Sequence, residues 1–549
     1  MERIQQTLNA LHRQRAQSEF SESRTALLFM PGTYRLDVTA DYYVQVSGLG
    51  QTPDAVRIDG AVQSIATTQQ NRVTLMFWRS AENMAVYPTD PRAPIRWAVS
   101  QAAPYRRMHI HGDLRFDMGG WASGGYLANS RVEGEAGLRT GQQWFTRNAE
   151  LGRWKGGNWN QTFVGTRGTP RQLWPDAPVT VIDETPVIRD KPFWTVDASG
   201  EFSLFVPALT RNTAGVSWST GEEAGVSVPM HAIYLGSPHR DSSATLNAAL
   251  ANGKHLILTP GTYLLDAPLQ VRRPGAIVMG MGFATLVPTQ GDAAIRVADV
   301  DGVTLSSLLI DAGPTRSRAL VEIGPPGADQ RHADDPTVIH DLFCRVGGAR
   351  VGQTDACLVI HSHDVIVDHA WLWRADHGAG ARWSTNRARN GLLVHGDDVT
   401  IYGLFNEHFQ EHQALWSGER GRVYFYQSEM PYDPPDQDHW RAGDRLGFAA
   451  YKVAADVQQH DAWGLGIYSF FGVHQDRDPN VRASCAVEVP RHDGVRVTHL
   501  TIFAGETGGI DHPLNDLGGP TDAGSVQFFD GVPQPAPTRG ARQMSTDEP

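Results

Sequence analysis

Short runs of apolar and aromatic residues, many of them alternating with polar ones, recur along this chain at roughly 20–25-residue intervals, the spacing of solenoid repeats. In the first half they include Val73-Thr-Leu-Met-Phe-Trp78, Arg107-Met-His-Ile-His111, Gly125-Tyr-Leu-Ala-Asn-Ser-Arg-Val132 and Trp144-Phe-Thr-Arg-Asn148. In the second half they include Val303-Thr-Leu-Ser-Ser-Leu-Leu-Ile310, Leu358-Val-Ile-His-Ser362, Val365-Ile-Val-Asp-His-Ala-Trp-Leu-Trp373, Gly391-Leu-Leu-Val-His395 and Val399-Thr-Ile-Tyr402. Glycine, asparagine and aspartate separate them. A helical pattern appears only over Ile4–Leu11 and again near Ala244–Leu250. Strands without intervening helices argue against βαβ units and predict parallel β-helices, each coil stacked on the last. The two helices would cap the solenoid ends, where unpaired strand edges invite aggregation.

The chain also repeats itself. Thr7-Leu-Asn-Ala10 returns as Thr245-Leu-Asn-Ala248, Pro31-Gly-Thr-Tyr34 as Pro260-Gly-Thr-Tyr263, and Gly48-Leu-Gly50 as Gly280-Met-Gly282. An offset near 230 residues, read from those pairs, means two copies of one domain type. The predicted organisation is a first β-helix over 1–165, connecting strands over 166–243, a second β-helix over 244–530, and a disordered tail over 531–549. Proline is spread through the connector (Pro170, Pro175, Pro178, Pro186, Pro192, Pro207), yet it keeps too many apolar residues for a free linker. Leu204–Leu209 reads as a bridging strand. The tail is rich in proline and polar residues.

Composition narrows the function. The 549 residues carry 48 basic and 60 acidic side chains, a net charge of −12, which argues against nucleic acid or an anionic membrane as partner. No apolar run approaches the length of a membrane span. The three cysteines, Cys344, Cys357 and Cys485, cannot form a disulfide framework and are expected as buried thiols. The first ten residues lack the basic-then-apolar block of a secretory signal.

The strongest candidate chemistry lies between Asp398 and Trp440. Glu407 and Glu429 each follow a strand-like run, Val399-Thr-Ile-Tyr402 and Val423-Tyr-Phe-Tyr426, at a similar phase. Stacked as successive coils, they would stand side by side on one face. Two carboxyls facing a sugar-sized cleft are the minimum equipment for glycoside hydrolysis, one as general acid and one helping to activate water. The plain alternative is a pair of surface glutamates at strand ends. Glu429, among Tyr424, Phe425, Tyr426, Met430 and Tyr432, is expected to hold its proton; Glu407, between Asn406 and His408, is expected to stay ionised.

With these stretches in view, the chain resembles glycoside hydrolase family 55, the bacterial exo-β-1,3-glucanases or laminarinases. The likeness covers nearly the whole sequence. It rests on Trp97-Ala-Val-Ser-Gln101-Ala, Arg106-Arg-Met-His109, Gly119-Gly-Trp-Ala-Ser123-Gly-Gly, Trp371-Leu-Trp-Arg-Ala-Asp376-His-Gly and Tyr424-Phe-Tyr-Gln-Ser-Glu429-Met-Pro-Tyr432-Asp-Pro-Pro. The resemblance implies tandem right-handed parallel β-helices with the cleft between them, and hydrolysis of β-1,3-glucan from the chain end with inversion. It places the general acid on Glu429 and the water-positioning network on Glu407, Gln101 and Ser123. Asp376 is assigned to sugar hydroxyls, Trp373 and Tyr432 to ring contact, and Trp416, Trp121 and Trp463 to the same role in second place. A purely internal Gln101–Ser123 pair, and aromatics packed between coils, remain the structural alternatives.

His361, His363, His369 and His377 show no convergent ligand set, so neither metal nor cofactor is expected. The expected partner is a β-1,3-glucan polysaccharide or oligosaccharide, met by a monomer. Extracellular action is expected from the size of that polymer. Two other functions stay open: a catalytically silent glucan-binding β-helix, and a β-helix polysaccharide lyase, which would want a basic cleft and often calcium.

Overall fold

The computed structural model describes residues 2–65, 72–219, 221, 223–472 and 478–531. Two parallel ladders account for most of it. The first runs through Thr25–Phe29, Val44–Gly48, Arg79–Tyr87, Pro104–Ile110, Tyr126–Ala128, Gln143–Arg147, Asn160–Val164 and Val179–Ile182. The second begins at Ile233–Gly236 and continues through nine parallel strands to Val495–Ala504. An eight-stranded sheet from Leu269–Val271 to Val487–Glu488 forms another wall of that solenoid. This is the tandem β-helix architecture the sequence predicts. Most of the expected tail lies outside the described residues, and among those described no helix is long and apolar enough to cross a membrane.

The internal repeat is structural. Thr25–Phe29 pairs in parallel with Val44–Gly48, and His255–Leu258 with Ile277–Gly280. The turns between them contain Pro31-Gly-Thr-Tyr34 and Pro260-Gly-Thr-Tyr263, in which Gly32 and Gly261 adopt φ of 148° and 149°. Helices Glu2–Arg15 and Ser243–Ala251 open the two copies; Leu8, Leu246 and Leu250 bury themselves in the solenoid cores. Ser242 caps the second helix by accepting from the backbone N–H of Thr245. The far end of the second ladder is closed by Val526–Gly531, which lies antiparallel on Val495–Ala504 and covers its edge.

Between the ladders the chain forms two small antiparallel sheets, Thr185–Arg189 with Leu209–Thr213, and Phe193–Val196 with Phe202–Pro207 and Gly225–Pro229. The parallel ladders enter the 166–243 segment at both ends, through Val179–Ile182 and Ile233–Gly236. The bridging strand expected at Leu204–Leu209 breaks after Pro207, and from Leu209 the chain pairs with Thr185–Arg189 in the other sheet.

The solenoids meet across an aromatic and charged interface. Tyr43, Phe77, Trp78, Tyr126 and Phe145 of the first pack with Phe343, Trp371, Trp373, Phe405 and Phe425 of the second. Arg106 reaches Asp341 at 2.7 Å and Asp368 at 2.8 Å; Arg147 reaches Asp368 at 3.0 Å and Asp190 at 2.5 Å. Burial alone would raise the carboxyl of Asp341, but Arg106 and Lys191 beside it hold it well below the usual range. Cys344, Cys357 and Cys485 are free and buried.

Candidate active site

A left-handed residue recurs at one level of seven successive strands: Ser307, Asp341, His369, Gly403, Phe425, Gly464 and His499. The first solenoid has the same corner at Asn83, Arg107, Asn129, Asn148 and Gly165. Each corner turns the chain and resets the alternation of side chains. Val399 and Ile401 point into the core; past Gly403, Leu404 does so, and Phe405 and Glu407 face outward. Unbroken period-two alternation from Ile401 would instead have sent Glu407 into the core. In the next strand Val423 and Tyr426 face the core around the Phe425 corner, which leaves Glu429 outside.

Glu407 and Glu429 are direct register partners in adjacent strands, Thr400–Glu407 and Gly421–Glu429. The two carboxyls engage different partners. Oε1 of Glu407 accepts from Nε2 of Gln101 at 2.7 Å, across the inter-solenoid boundary, and Oε2 accepts from Nε1 of Trp371 at 2.9 Å. Oγ of Ser123 lies 3.2 Å from Oε1 of Gln101 and 2.9 Å from Oγ of Ser100, the two acceptors between which its one hydrogen is shared. Glu429 accepts from Nε2 of Gln427 at 3.1 Å and from the hydroxyl of Tyr432, and His408 Nε2 stands 3.5 Å from its Oε2. Glu429 retains 14% side-chain exposure, whereas Glu407 is buried.

The charges are arranged around this pair. Burial, and then the neighbouring charge of Glu429, push the Glu407 carboxyl up to about 8. Against the expectation that Glu407 stays ionised, its surroundings work toward the neutral form, because its polar sequence neighbours do not set them: Trp371 and the first solenoid enclose it. Burial would lower the His408 imidazole, but the contact with Glu429 and the charges of Asp376 and Glu407 raise it to about 9. Burial would raise Asp376; the His377 hydrogen bond at 2.9 Å and the charge of His408 bring it down to about 2. His377 is fixed on its other side by Glu19 Oε1 at 2.7 Å.

Of the expected ring contacts, Tyr432 and Trp121 stand where a sugar could meet them. Tyr432 lies against His408, ring centres 4.3 Å apart. Trp121 is 44% exposed. Between them runs an aromatic row from both solenoids: Tyr432 to Tyr468 at 6.0 Å, Tyr468 to Phe503 at 5.2 Å, Phe503 to Trp159 at 4.3 Å and Trp159 to Trp121 at 6.2 Å. Trp373 and Trp416 are corrections. Trp373 is 1% exposed, packed near Trp371 and Phe20 in the interface, and Trp416 is wholly buried against His460 in the second core. Neither presents a face to a ligand. Trp463 stacks on Tyr424 at 4.7 Å, level with the corner rather than with Glu429, so it too is placed away from the pair.

Sequence reasoning missed Trp371, Ser100, His408, Tyr468, Phe503 and Trp159. Tyr468 could have been found from register, being the partner of Glu429 one coil on. The four histidines considered for a metal scatter among other partners: His369 bonds Asp341, His377 bonds Asp376 and Glu19, His361 stacks on His395, and His363 accepts from the Asp397 N–H.

Residues 236–429 match the family profile described as the LAM55 pectate lyase-like domain. The chain is 43% identical over 523 residues to an exo-beta-1,3-glucanase of Streptomyces sp. SirexAA-E, a match covering 94% of this chain and 85% of that one. The solved structure of sacteLam55A from the same organism superimposes with a TM-score of 0.94 at 42% identity, covering 96% of each chain. A glutamate-to-alanine variant of sacteLam55A in complex with glucose gives a TM-score of 0.93 at 41% identity, again over 96% of each chain. With a tandem solenoid that extends over nearly all of both chains and a glutamate pair seated at its internal boundary, this chain belongs to glycoside hydrolase family 55 and is a glycosidase.

Proposed function

We propose that the protein hydrolyses β-1,3-glucan from the chain end with inversion, releasing mainly glucose. The observation that carries this reading is the 2.7 Å hydrogen bond from Gln101 to Glu407, which joins a residue of the first solenoid to one carboxyl of a register-paired couple in the second. Glu429, the more open of the two, gives its proton to the glycosidic oxygen as the bond to the anomeric carbon breaks. A water on the opposite face of the ring attacks that carbon, and its proton passes to Glu407. Gln101 and Ser123 form the wall that positions this water. Asp376, kept anionic, suits a sugar hydroxyl, and the aromatic row from Tyr432 to Trp121 suits the flat faces of successive sugars.

Like charges this close share protons rather than both ionising. Burial, and then the charge of Glu429, favour the neutral form of Glu407 in the free enzyme. That is the distribution left by a turnover. A proton must return to Glu429 before the next, since the acid has to be reloaded for each bond cleaved.

The enzyme acts as a monomer outside the cell; polymeric glucan does not enter one. Proton NMR of laminarin digestion tests the chemistry, because the anomer formed first is seen before mutarotation. α-Glucose as the first product supports inversion from the chain end. β-Glucose would overturn inversion, mixed oligosaccharides would overturn chain-end attack, and unsaturated sugars would indicate a lyase.

A further inference from the structure

A second cluster of chemistry-bearing side chains lies on the first solenoid, sharing no contact with Glu407 or Glu429. Past the Arg107 corner, Met108 and Ile110 point into the core, which turns His109 and His111 outward. One ligand atom from each of Asp54, His109 and His111 lies within 4.8 Å of the others. Nδ1 of His109 is 2.7 Å from Oδ1 of Asp54. The imidazoles stand 3.9 Å apart between centres.

Glu133 serves the remaining nitrogens. Its Oε1 is 3.3 Å from Nε2 of His109 and its Oε2 is 3.1 Å from Nδ1 of His111. In the strand Arg131–Leu138, Arg131 pairs with His109 and Val132 with Ile110, and the same register brings Glu133 level with His111. An imidazole that donates one ring N–H to a carboxylate is fixed in tautomer and orientation, and its other nitrogen is left as a ligand. For His109 that nitrogen is Nδ1, toward Asp54. For His111 it is Nε2, which is buried and makes no hydrogen bond among the described residues. The ring is held flat against Tyr87, centres 3.8 Å apart, with Arg57 on Tyr87 in turn.

We propose that Asp54, His109 and His111 bind one zinc-class divalent ion, with Glu133 orienting both imidazoles. Two imidazole nitrogens and one carboxylate are a donor set for zinc rather than for calcium or magnesium, which prefer all-oxygen shells. Asp54 is 51% exposed, so a fourth position opens to water. The ligands come from Pro53–Ala55 and from His109 and His111 at and just past the end of Pro104–Ile110, so the ion ties two non-adjacent coils together.

The test uses the full chain, freed of metal by EDTA dialysis and titrated with zinc chloride by calorimetry, with metal content read by mass spectrometry. One equivalent of zinc per chain is expected, with a rise in melting temperature that EDTA reverses. His111→Phe keeps the stacking on Tyr87 and should abolish that equivalent; Glu133→Gln should weaken it by about 10–100-fold, the usual cost of losing an orienting carboxylate. Unchanged laminarin hydrolysis by both variants shows that they are folded, and circular dichroism shows it independently of activity. No stoichiometric zinc binding by the parent protein overturns the proposal, as does parent-like binding by folded His111→Phe.

Discussion

Replacing Gln101 by alanine removes one side chain that is 2% exposed and donates to Glu407 from the other solenoid. A hydrogen bond to a charged group is worth about 1.5–3 kcal/mol. If the bond is made in the transition state, when Glu407 accepts the water's proton from an ionised start, its loss lowers kcat by roughly 10–150-fold, at about 1.4 kcal/mol per tenfold. The variant should also change the pH profile. Glu407 works as a base only when ionised, and it is already pushed up to about 8 by burial and Glu429. Removing a donor to the carboxylate leaves Nε1 of Trp371 and weaker contacts to favour the charged form, so the acid limb of kcat/KM moves to higher pH. The assay is kcat and KM on laminarin across about pH 4–9, where both limbs of a carboxyl pair fall; the limbs belong to the pair rather than to either residue. Circular dichroism and melting temperature report whether the interface survives. A folded variant whose kcat falls less than about threefold, with KM alone raised, would mean that Gln101 contributes only uniform binding, and the water network would be wrong.

Glu429→Gln should cost about 10²–10⁴ in kcat on laminarin, the scale of general acid catalysis, and recover most of it on an aryl β-glucoside whose leaving group needs no proton. Equal impairment on both, with selective recovery in Glu407→Gln, would reverse the two roles. For pH and stability, His408 and His377 are raised from 6.5 to about 9 and about 10, so their contribution is whole below pH 6.5 and lost as pH rises through those values. Glu407, raised from 4.5 to about 8, acts in the same direction, and a melting temperature that is flat or rising from pH 6.5 to 10 contradicts this charge arrangement. Arg106→Met leaves Asp341 and Asp368 buried beside fewer cations and should cost about 3–5 kcal/mol in denaturant unfolding; a loss under about 1 kcal/mol, the scale of an exposed pair, would show the network to be dispensable. Trp121→Ala should raise KM for long glucan with kcat nearly unchanged; equal KM values would remove Trp121 from the binding surface.

The tandem solenoid is legible because its signals are local and duplicated. Pro31-Gly-Thr-Tyr34 and Pro260-Gly-Thr-Tyr263 impose the same turn, with Gly32 and Gly261 in conformations that a side chain disfavours, and strands paired alike on either side. The division between solenoids and connector is less legible. Val179–Ile182 and Ile233–Gly236 are short strands whose ladder partners, not their own composition, make them part of a solenoid. Coil length also varies. Thr400 faces Arg422 one coil on, whereas Gly421 faces His460, because the loop that carries Tyr432 and Trp440 is inserted there. No uniform repeat of coils could be read through that insertion.

The site divides along the same line. The pairing of Glu407 with Glu429 follows from two strands of similar phase, so spacing finds it. The surroundings that set their charges do not follow from spacing, because they come from residues as far as 306 positions away. Gln101 and Trp371 converge on Glu407 from different solenoids, and the aromatic neighbours quoted around Glu429 in sequence turn largely elsewhere: Tyr426 into the core, Phe425 into the interface. Alternation fails for the same reason. A left-handed residue at the same level of each strand inverts inside and outside halfway along, and Phe425, Asp341 and His369 occupy that conformation without the glycine that would announce it. Trp373 and Trp416 look like sugar-binding tryptophans by motif and fill interior space by geometry. A carboxyl buried by distant residues keeps its proton more tightly than its flanking sequence implies, so the acidity of this pair is a property of the interface between the two solenoids. Changes at that interface should accordingly alter the pH dependence of catalysis before they alter the fold.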